Sequence, residues 1–246
     1  MRLPDSVTGT SPAANADTQV YWQHRAGVVP KFDQRVFDDN WLEANDYIVN
    51  SPTAGRGASL FLEIDKTHLV LRHYRRGGMV RSISEQHYIW QGLQHTRAWR
   101  EFDVLFEMQS QGLPSPKPYA CQVQRRGLKY SASLITYFLA GVTLAECVCT
   151  AKLPDERWCN IGQCIRRFHA AGVDHADLNA HNILVDEHVV SLIDFDRAVI
   201  QSTVNPKRAN KNLKRLQRSL NKIGSSGPAF YNDKCWGVLM AGYGAT

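Results

Sequence analysis

The sequence predicts an α+β chain of two lobes: an antiparallel sheet with one prominent helix in the first half, and a mainly helical second half. Three observations predict this. Short runs rich in Val, Ile, Leu, Phe and Tyr pair across turn residues between residues 60 and 138. Segments 96–111, 154–172 and 205–223 instead repeat apolar residues at helical spacing. Between them, a polar loop starting at His175 runs into two very short apolar runs, Ile183 to Val185 and Val189 to Ile193, separated by Asp186-Glu187-His188. The expected divisions are a disordered tail over 1–20, a first lobe over 21–136 and a second over 137–246.

The 246 residues suffice to bury a sizeable core. Hydrophobic residues at 43% and charged residues at 21% are ordinary globular proportions. No apolar run approaches the roughly 18–20 residues that span a bilayer. Met1 to Asp17 is rich in Pro, Ser, Thr and Asp with no apolar segment, so it reads as a disordered tail rather than a secretory signal. Six cysteines form no CxxC pair, which points to buried free thiols. A net charge of +6 and a pI near 9.0 favour an anionic partner: nucleotide, nucleic acid or anionic lipid.

Taken in order, Asp38-Asp39-Asn40 caps a short helix over Trp41 to Tyr47. Gly55 and Gly57 form a glycine loop before a strand at Leu60 to Ile64. A turn at Asp65-Lys66 leads to a second strand, Leu69 to Tyr74. Glycines let a backbone approach phosphates closely, and they also suit a plain hairpin approach. Arg72, near the end of the second strand, opens an arginine-rich run with Arg75 and Arg76, either a solvated turn or a clamp for phosphate or an acidic substrate. Ser84 to Gln94 reads as a helix. Thr96 to Gln111 reads as another, with Ala98, Phe102, Leu105 and Met108 in phase and Gly112 and Pro114 as its stop. Glu101 on this helix is the chosen partner for Arg72. Tyr119 to Val123 and Ser131 to Phe138 follow as antiparallel strands about Arg125-Arg126-Gly127. Thr143 to Thr150 starts a helix. Pro154-Asp155 opens the clearest one, striped by Trp158, Ile161, Cys164, Ile165 and Phe168, on which His169 reads as a structural histidine. Segment 205–223 carries seven Lys or Arg and no acid, with Leu213, Leu216, Leu220 and Ile223 on one face. Such a helix suits an anionic membrane, nucleic acid, or packing of its leucines on the lobe. A closing helix covers Tyr231 to Tyr243.

The chemistry concentrates in His175-Ala176-Asp177-Leu178-Asn179-Ala180-His181-Asn182 and in Asp194. Folding the two apolar runs into a hairpin makes Asn182 and Asp194 neighbours. A carboxylate and an amide oxygen then form a divalent-metal site, with water and phosphate oxygens to complete the shell. Asp177, just before it, is placed to meet an incoming hydroxyl. The ordered set resembles the catalytic loop and metal-binding aspartate of the protein-kinase superfamily, His-Arg-Asp-Leu followed by Asn and then Asp-Phe-Gly. Here Ala176 replaces the Arg and Asp196 replaces the Gly. Arg72 stands where that pattern has a strand lysine, so its forked geometry differs.

Beyond the superfamily, Gly55-Arg56-Gly57, the run Leu71 to Gly78, Arg100-Glu101-Phe102, Gly112-Leu113-Pro114, the His175 loop and Asn212 to Leu216 closely resemble the bacterial 3-deoxy-D-manno-octulosonic acid (Kdo) kinases. That resemblance implies a protein-kinase-like fold. It also implies ATP- and magnesium-dependent phosphorylation of the 4-hydroxyl of Kdo in Kdo-lipid IVA, at the cytoplasmic face of the inner membrane. Asp177 would orient or deprotonate the hydroxyl, and Asn182 and Asp194 would hold magnesium. Gly55, Gly57 and Arg72 would meet the nucleotide, with Glu101 fixing Arg72. The basic face, including Lys211, Lys214, Arg215 and Arg218, would meet the anionic glycolipid or membrane, and no nucleic acid is implied. The absence of an Ala-Pro-Glu motif and the short segment after Asp196 argue against a protein substrate. Two alternatives stand beside this reading: another sugar or small-molecule kinase of heptose or aminoglycoside type, and a catalytically dead lipid-binding module. The latter has no need of Asp177, Asn182 and Asp194 together.

Overall fold

The computed structural model describes residues 5–12, 17–49, 59–74, 88–203, 205–225 and 229–244. The chain divides into two compact units: Met1–Phe106 with Lys117–Phe138, and Glu107–Pro116 with Leu139–Thr246. The sequence-based boundary after residue 136 thus falls after Phe138, and 107–116 groups with the second unit. Gly55, Gly57, Arg75 and Arg76 lie outside the described residues.

The first unit holds β1 (Ser6–Pro12), β2 (Thr18–Arg25), α1 (Asp39–Ala44), β3 (Ile48–Val49), β4 (Ser59–Ile64), β5 (Thr67–His73), β6 (Tyr88–Ile89), most of α2 (Arg97–Ser110), β7 (Pro118–Arg126) and β8 (Lys129–Tyr137). Its antiparallel sheet runs β1-β2-β7-β8-β5-β4-β3, and β6 pairs with β8. The segment expected to be a disordered tail supplies β1, in full register with β2 from Ser6↔Arg25 to Pro12↔Gln19. An edge strand needs no apolar run, because one face stays in water, and Val7 is 41% exposed. The helix expected over Ser84 to Gln94 is not found in its described part. Tyr88 and Ile89 pair with Tyr130 and Lys129, and the Tyr88 and Tyr130 rings stack with centroids 5.3 Å apart. Cross-strand aromatic pairing outweighs a weak helical period there. The Asp65-Lys66 turn is as expected, with both residues at positive φ, the backbone of a tight hairpin.

Strand alternation gives this sheet two different faces. Leu69 and Leu71 point into a core with Val36, Phe37, Leu42, Leu62, Tyr119 and Ile135. Arg72 and Tyr74 therefore point to the other side. Helix α1 is capped by Asp38, whose carboxylate accepts from the Asn40 and Trp41 amides.

The second unit holds β9 (Val142–Thr143), α3 (Leu144–Thr150), α4 (Asp155–Ala170), β10 (Val173–Asp174), β11 (Ile183–Val185), β12 (Val190–Leu192), β13 (Val199–Ile200), α5 (Pro206–Ser225) and α6 (Asp233–Gly244). Small sheets form in the orders β12-β11-β9 and β10-β13. The end of α2 is a glycine-terminated cap. Gly112 takes φ +66, Leu113 N–H donates to Met108 C=O at 3.0 Å and Gly112 N–H to Gln109 C=O at 3.1 Å. Helix α4 buries the expected Trp158, Ile161, Cys164, Ile165 and Phe168. It packs on α6 through glycines: a Cβ at Gly162 would lie 2.0 Å from the Leu239 carbonyl oxygen, and one at Gly242 2.2 Å from that of Cys159. All six cysteines are free; Cys121, Cys164 and Cys235 are buried as expected, whereas Cys149 is exposed.

Candidate active site

In the first unit, the strand alternation that buries Leu71 delivers Arg72 and Tyr74 to α2. Glu101, 3% exposed on α2, accepts hydrogen bonds from the Arg72 guanidinium and from the Tyr74 hydroxyl. Arg72 also donates to the Tyr74 hydroxyl oxygen at 3.1 Å. Burial pushes the Tyr74 phenol well above its usual range, and the Glu101 charge adds to the shift. The pairing of Arg72 with Glu101 was legible in the sequence; the part of Tyr74 was not.

In the second unit, the hairpin β11–β12 pairs Ile183 with Leu192 and Val185 with Val190. Its open end continues as Ile193 N–H donating to the Asn182 carbonyl at 3.0 Å. Asn182 and Asp194 therefore flank one hydrogen bond. The Asn182 amide nitrogen donates to the Asp177 backbone carbonyl at 3.0 Å, so Oδ1 is the atom that could serve a metal ion. Asn179 donates to the same carbonyl, also at 3.0 Å, and caps the turn that carries Asn182. Both Ala176 (φ +56) and Asp194 (φ +65) are left-handed, so the loop stores strain at the two points flanking Asp177 and the hairpin exit.

His175 is a positioning residue. It is buried, packs against Phe195 with the rings tilted and their centroids 4.7 Å apart, and donates from Nε2 to the Ile193 carbonyl at 2.9 Å. Burial lowers its pKa and keeps the ring neutral. Phe195 in turn stacks on Phe168 of α4 at 5.7 Å. The apolar stripe of α4 thus fixes the aromatic between Asp194 and Asp196. His169 behaves as the expected structural histidine. It donates to Asn212 Oδ1 at 3.3 Å and accepts from the Tyr243 hydroxyl at 2.9 Å, and burial lowers its pKa.

Helix α5 contributes residues that sequence reasoning placed elsewhere or missed. Asn212, 3% exposed, accepts from the His175 amide at 3.3 Å and donates to Asp174 at 3.0 Å. Asp174 also takes Arg208 at 2.8 Å and the Ala176 amide at 3.2 Å. Its burial raises the carboxyl, and these donors more than offset that, so the pKa lies below the usual range. Arg215 donates to the Asp177 carboxylate at 2.6 Å. The sequence put Arg215 with the solvent-facing basic residues; the structure ties it to the proposed base. The leucine stripe Leu213, Leu216 and Leu220 is buried against the unit. A signal existed in Asn212, a polar residue in phase with that stripe.

Among the described residues no group of three His, Cys, Asp or Glu side chains is placed to hold a metal ion. The donors that are present, an amide oxygen and a carboxylate, are hard oxygen ligands. They suit a magnesium ion that keeps water and substrate phosphates in its shell. A sheet that carries a paired cation, and a hairpin that joins an Asn to an Asp below a loop Asp, define a kinase of the protein-kinase-like class.

The comparisons narrow this class. Residues 39–243 match the lipopolysaccharide kinase (Kdo/WaaP) family. A 3-deoxy-D-manno-octulosonic acid kinase of Xylella fastidiosa (strain 9a5c) is 44% identical, over 85% of this chain and 87% of that protein. One of Vibrio vulnificus (strain CMCP6) is 36% identical, over 85% and 88%. Among solved structures, WaaP in complex with acyl carrier protein superposes with a TM-score of 0.55 at 17% identity, covering 88% of this chain and 87% of that one, which shows a shared fold. The chain belongs to the lipopolysaccharide kinase (Kdo/WaaP) family.

Proposed function

We propose that this chain transfers the terminal phosphoryl group of ATP to the 4-hydroxyl of Kdo in Kdo-lipid IVA, with magnesium, during lipopolysaccharide core assembly. The observation that carries the reading is the arrangement in the second unit. The Asp177 backbone carbonyl fixes Asn182, and the hairpin sets Asp194 beside Asn182. The relatives named as 3-deoxy-D-manno-octulosonic acid kinases support the acceptor. Magnesium, held by Asn182 Oδ1 and the Asp194 carboxylate, would neutralise charge on the phosphates. Arg72, oriented by Glu101 and Tyr74, meets nucleotide phosphates. Asp177 accepts the hydroxyl proton or aligns the hydroxyl for in-line attack. Phosphoryl transfer needs mostly positioning and charge neutralisation, so this short set suffices.

The same reading places the protein on the cytoplasmic face of the inner membrane. No helix of the described residues is long and apolar enough to cross a membrane. Support for peripheral attachment comes from α5, whose Lys207, Lys211, Lys214 and Arg218 are exposed while its leucines are buried. Because those leucines are used in packing, attachment is electrostatic, worth about 1 kcal/mol per basic residue near an anionic surface.

Transfer of labelled phosphate from ATP to purified Kdo-lipid IVA, beside heptosylated and aminoglycoside acceptors, tests the activity. Label on Kdo at the 4-position supports the reading; label on heptose or aminoglycoside alone, or on no acceptor, overturns it. The charge-reversed triple variant at Lys211, Lys214 and Arg218 tests the membrane face by sedimentation with anionic vesicles. Unchanged vesicle binding would remove that part.

A further inference from the structure

Two arginines on α5, Arg208 and Arg215, are seven residues apart and so lie on one helix face, two turns apart. Each meets an aspartate: Arg208 meets Asp174, at the end of β10 just before the loop, at 2.8 Å, and Arg215 meets Asp177 within it at 2.6 Å. The pairs differ in how complete they are. The Asp174 side chain is 11% exposed and takes three donors, from Arg208, Asn212 and the Ala176 amide. It is a finished structural anchor. The Asp177 side chain is 47% exposed, and among the described residues Arg215 is its one donor. Arg215 is 41% exposed and spends one of its five N–H groups on that bond.

A half-exposed pair of this kind contributes little to stability. It has a consequence for an acceptor. A sugar acid that presents a hydroxyl to Asp177 brings its own carboxylate close to a negative charge. A fixed cation between the two anions removes that repulsion, and a guanidinium can serve a carboxylate on each edge. The position is fixed: Asn212, Leu213 and Leu216 on either side of Arg215 are buried, at 3%, 6% and 0%. The Ser219 hydroxyl, four residues on, accepts from the Ala180 amide at 3.2 Å and ties the helix to the same loop.

We propose that Arg215 reads the acceptor's carboxylate, with one edge of its guanidinium on Asp177 and the other on the acid group of the sugar. This rests on the reading of the acceptor as an octulosonic acid. Arg215 then selects acidic over neutral sugars and holds Asp177 in the orientation that meets the hydroxyl.

The experiment compares two acceptors, Kdo-lipid IVA and the same lipid with the Kdo carboxyl as its methyl ester. The enzymes are wild type, Arg215→Lys and Arg215→Met, each with its thermal melt. For wild type, kcat/KM for the acid should exceed that for the ester by about tenfold to a hundredfold, the range of a charge-assisted hydrogen bond. Arg215→Met should lose most of that preference, chiefly through KM for the acid. Arg215→Lys, which keeps the charge but not the fork, should keep part of it. Equal losses on acid and ester in Arg215→Met, or no acid preference in wild type, overturn the assignment while leaving Kdo phosphorylation standing. Failure of wild type to phosphorylate either acceptor overturns the acceptor reading, and this assignment with it.

Discussion

Removing the Asp177 carboxylate should separate catalysis from folding more cleanly than any other change in the chain. The loop is held by backbone atoms at this position, not by the side chain. The Asp177 amide donates to the His175 carbonyl at 2.6 Å, and the Asp177 carbonyl takes Asn179 and Asn182 at 3.0 Å each. None of these bonds is lost in Asp177→Ala or Asp177→Asn. The side chain itself makes one ion pair, and it is 47% exposed with its partner at 41%. Such a pair contributes about 0–1 kcal/mol. For a chain of this size the melting temperature should then fall by no more than about 4 °C. Loss of a positioned general base costs roughly 10²–10⁴ in rate, or about 3–5 kcal/mol of barrier. Steady-state transfer of labelled phosphate, a thermal melt and titration with a fluorescent ATP analogue measure the three quantities separately. The expected outcome is turnover down by two orders of magnitude or more, nucleotide affinity kept and the melt nearly unchanged. Turnover within tenfold of wild type in a folded variant would refute Asp177 as the base.

Three further outcomes follow from other parts of the molecule. Glu101→Gln leaves the Arg72 cation and the buried Tyr74 hydroxyl without their shared anion; it should cost roughly 2 kcal/mol in a urea titration and raise KM for ATP with a smaller change in kcat. Gly162→Ala places a methyl 2.0 Å from the Leu239 carbonyl oxygen and forces α4 from α6. It should destabilise by about 1–3 kcal/mol, with a wild-type melt as the contrary result. Asp103, partly buried on α2, has its pKa raised by burial from 3.8 to about 6. The folded state therefore holds this proton more tightly than the unfolded one, and its ionisation weakens the fold as pH rises from about 4 through about 6. Asp103→Asn should be more stable than wild type by about 1–2 kcal/mol above pH 7, after allowance for its partial exposure. That advantage should vanish near pH 4, and an advantage independent of pH would exclude the burial explanation.

What the sequence disclosed, and what it withheld, divides along a physical line. Elements set by local pattern were legible. The α4 stripe from Trp158 to Phe168, the Gly112 cap of α2, the Asp65-Lys66 turn and the β11–β12 hairpin each follow from residues a few positions apart. Asn182 and Asp194 could be joined for the same reason, since a hairpin of fixed length leaves them nowhere else to be. Strand β1 was hidden because its stability comes from the β2 ladder rather than from its own apolar residues. Strand β6 was hidden because Tyr130, which stacks on Tyr88, lies 42 positions further on, as the numbering of the stacked pair shows. Arg215 was the hardest. Helical periodicity assigns a residue to a face, but the stripe of leucines says only that one face is covered, not which loop covers it. Seven cations without an acid in 205–223 look like one solvated surface when read alone. The fold splits them: Arg208 turns toward Asp174 at the end of β10 and Arg215 toward Asp177 in the loop that follows, while Lys211, Lys214 and Arg218 stay in water. A single charge run in the sequence thus serves two purposes, and only the partners of each cation tell them apart.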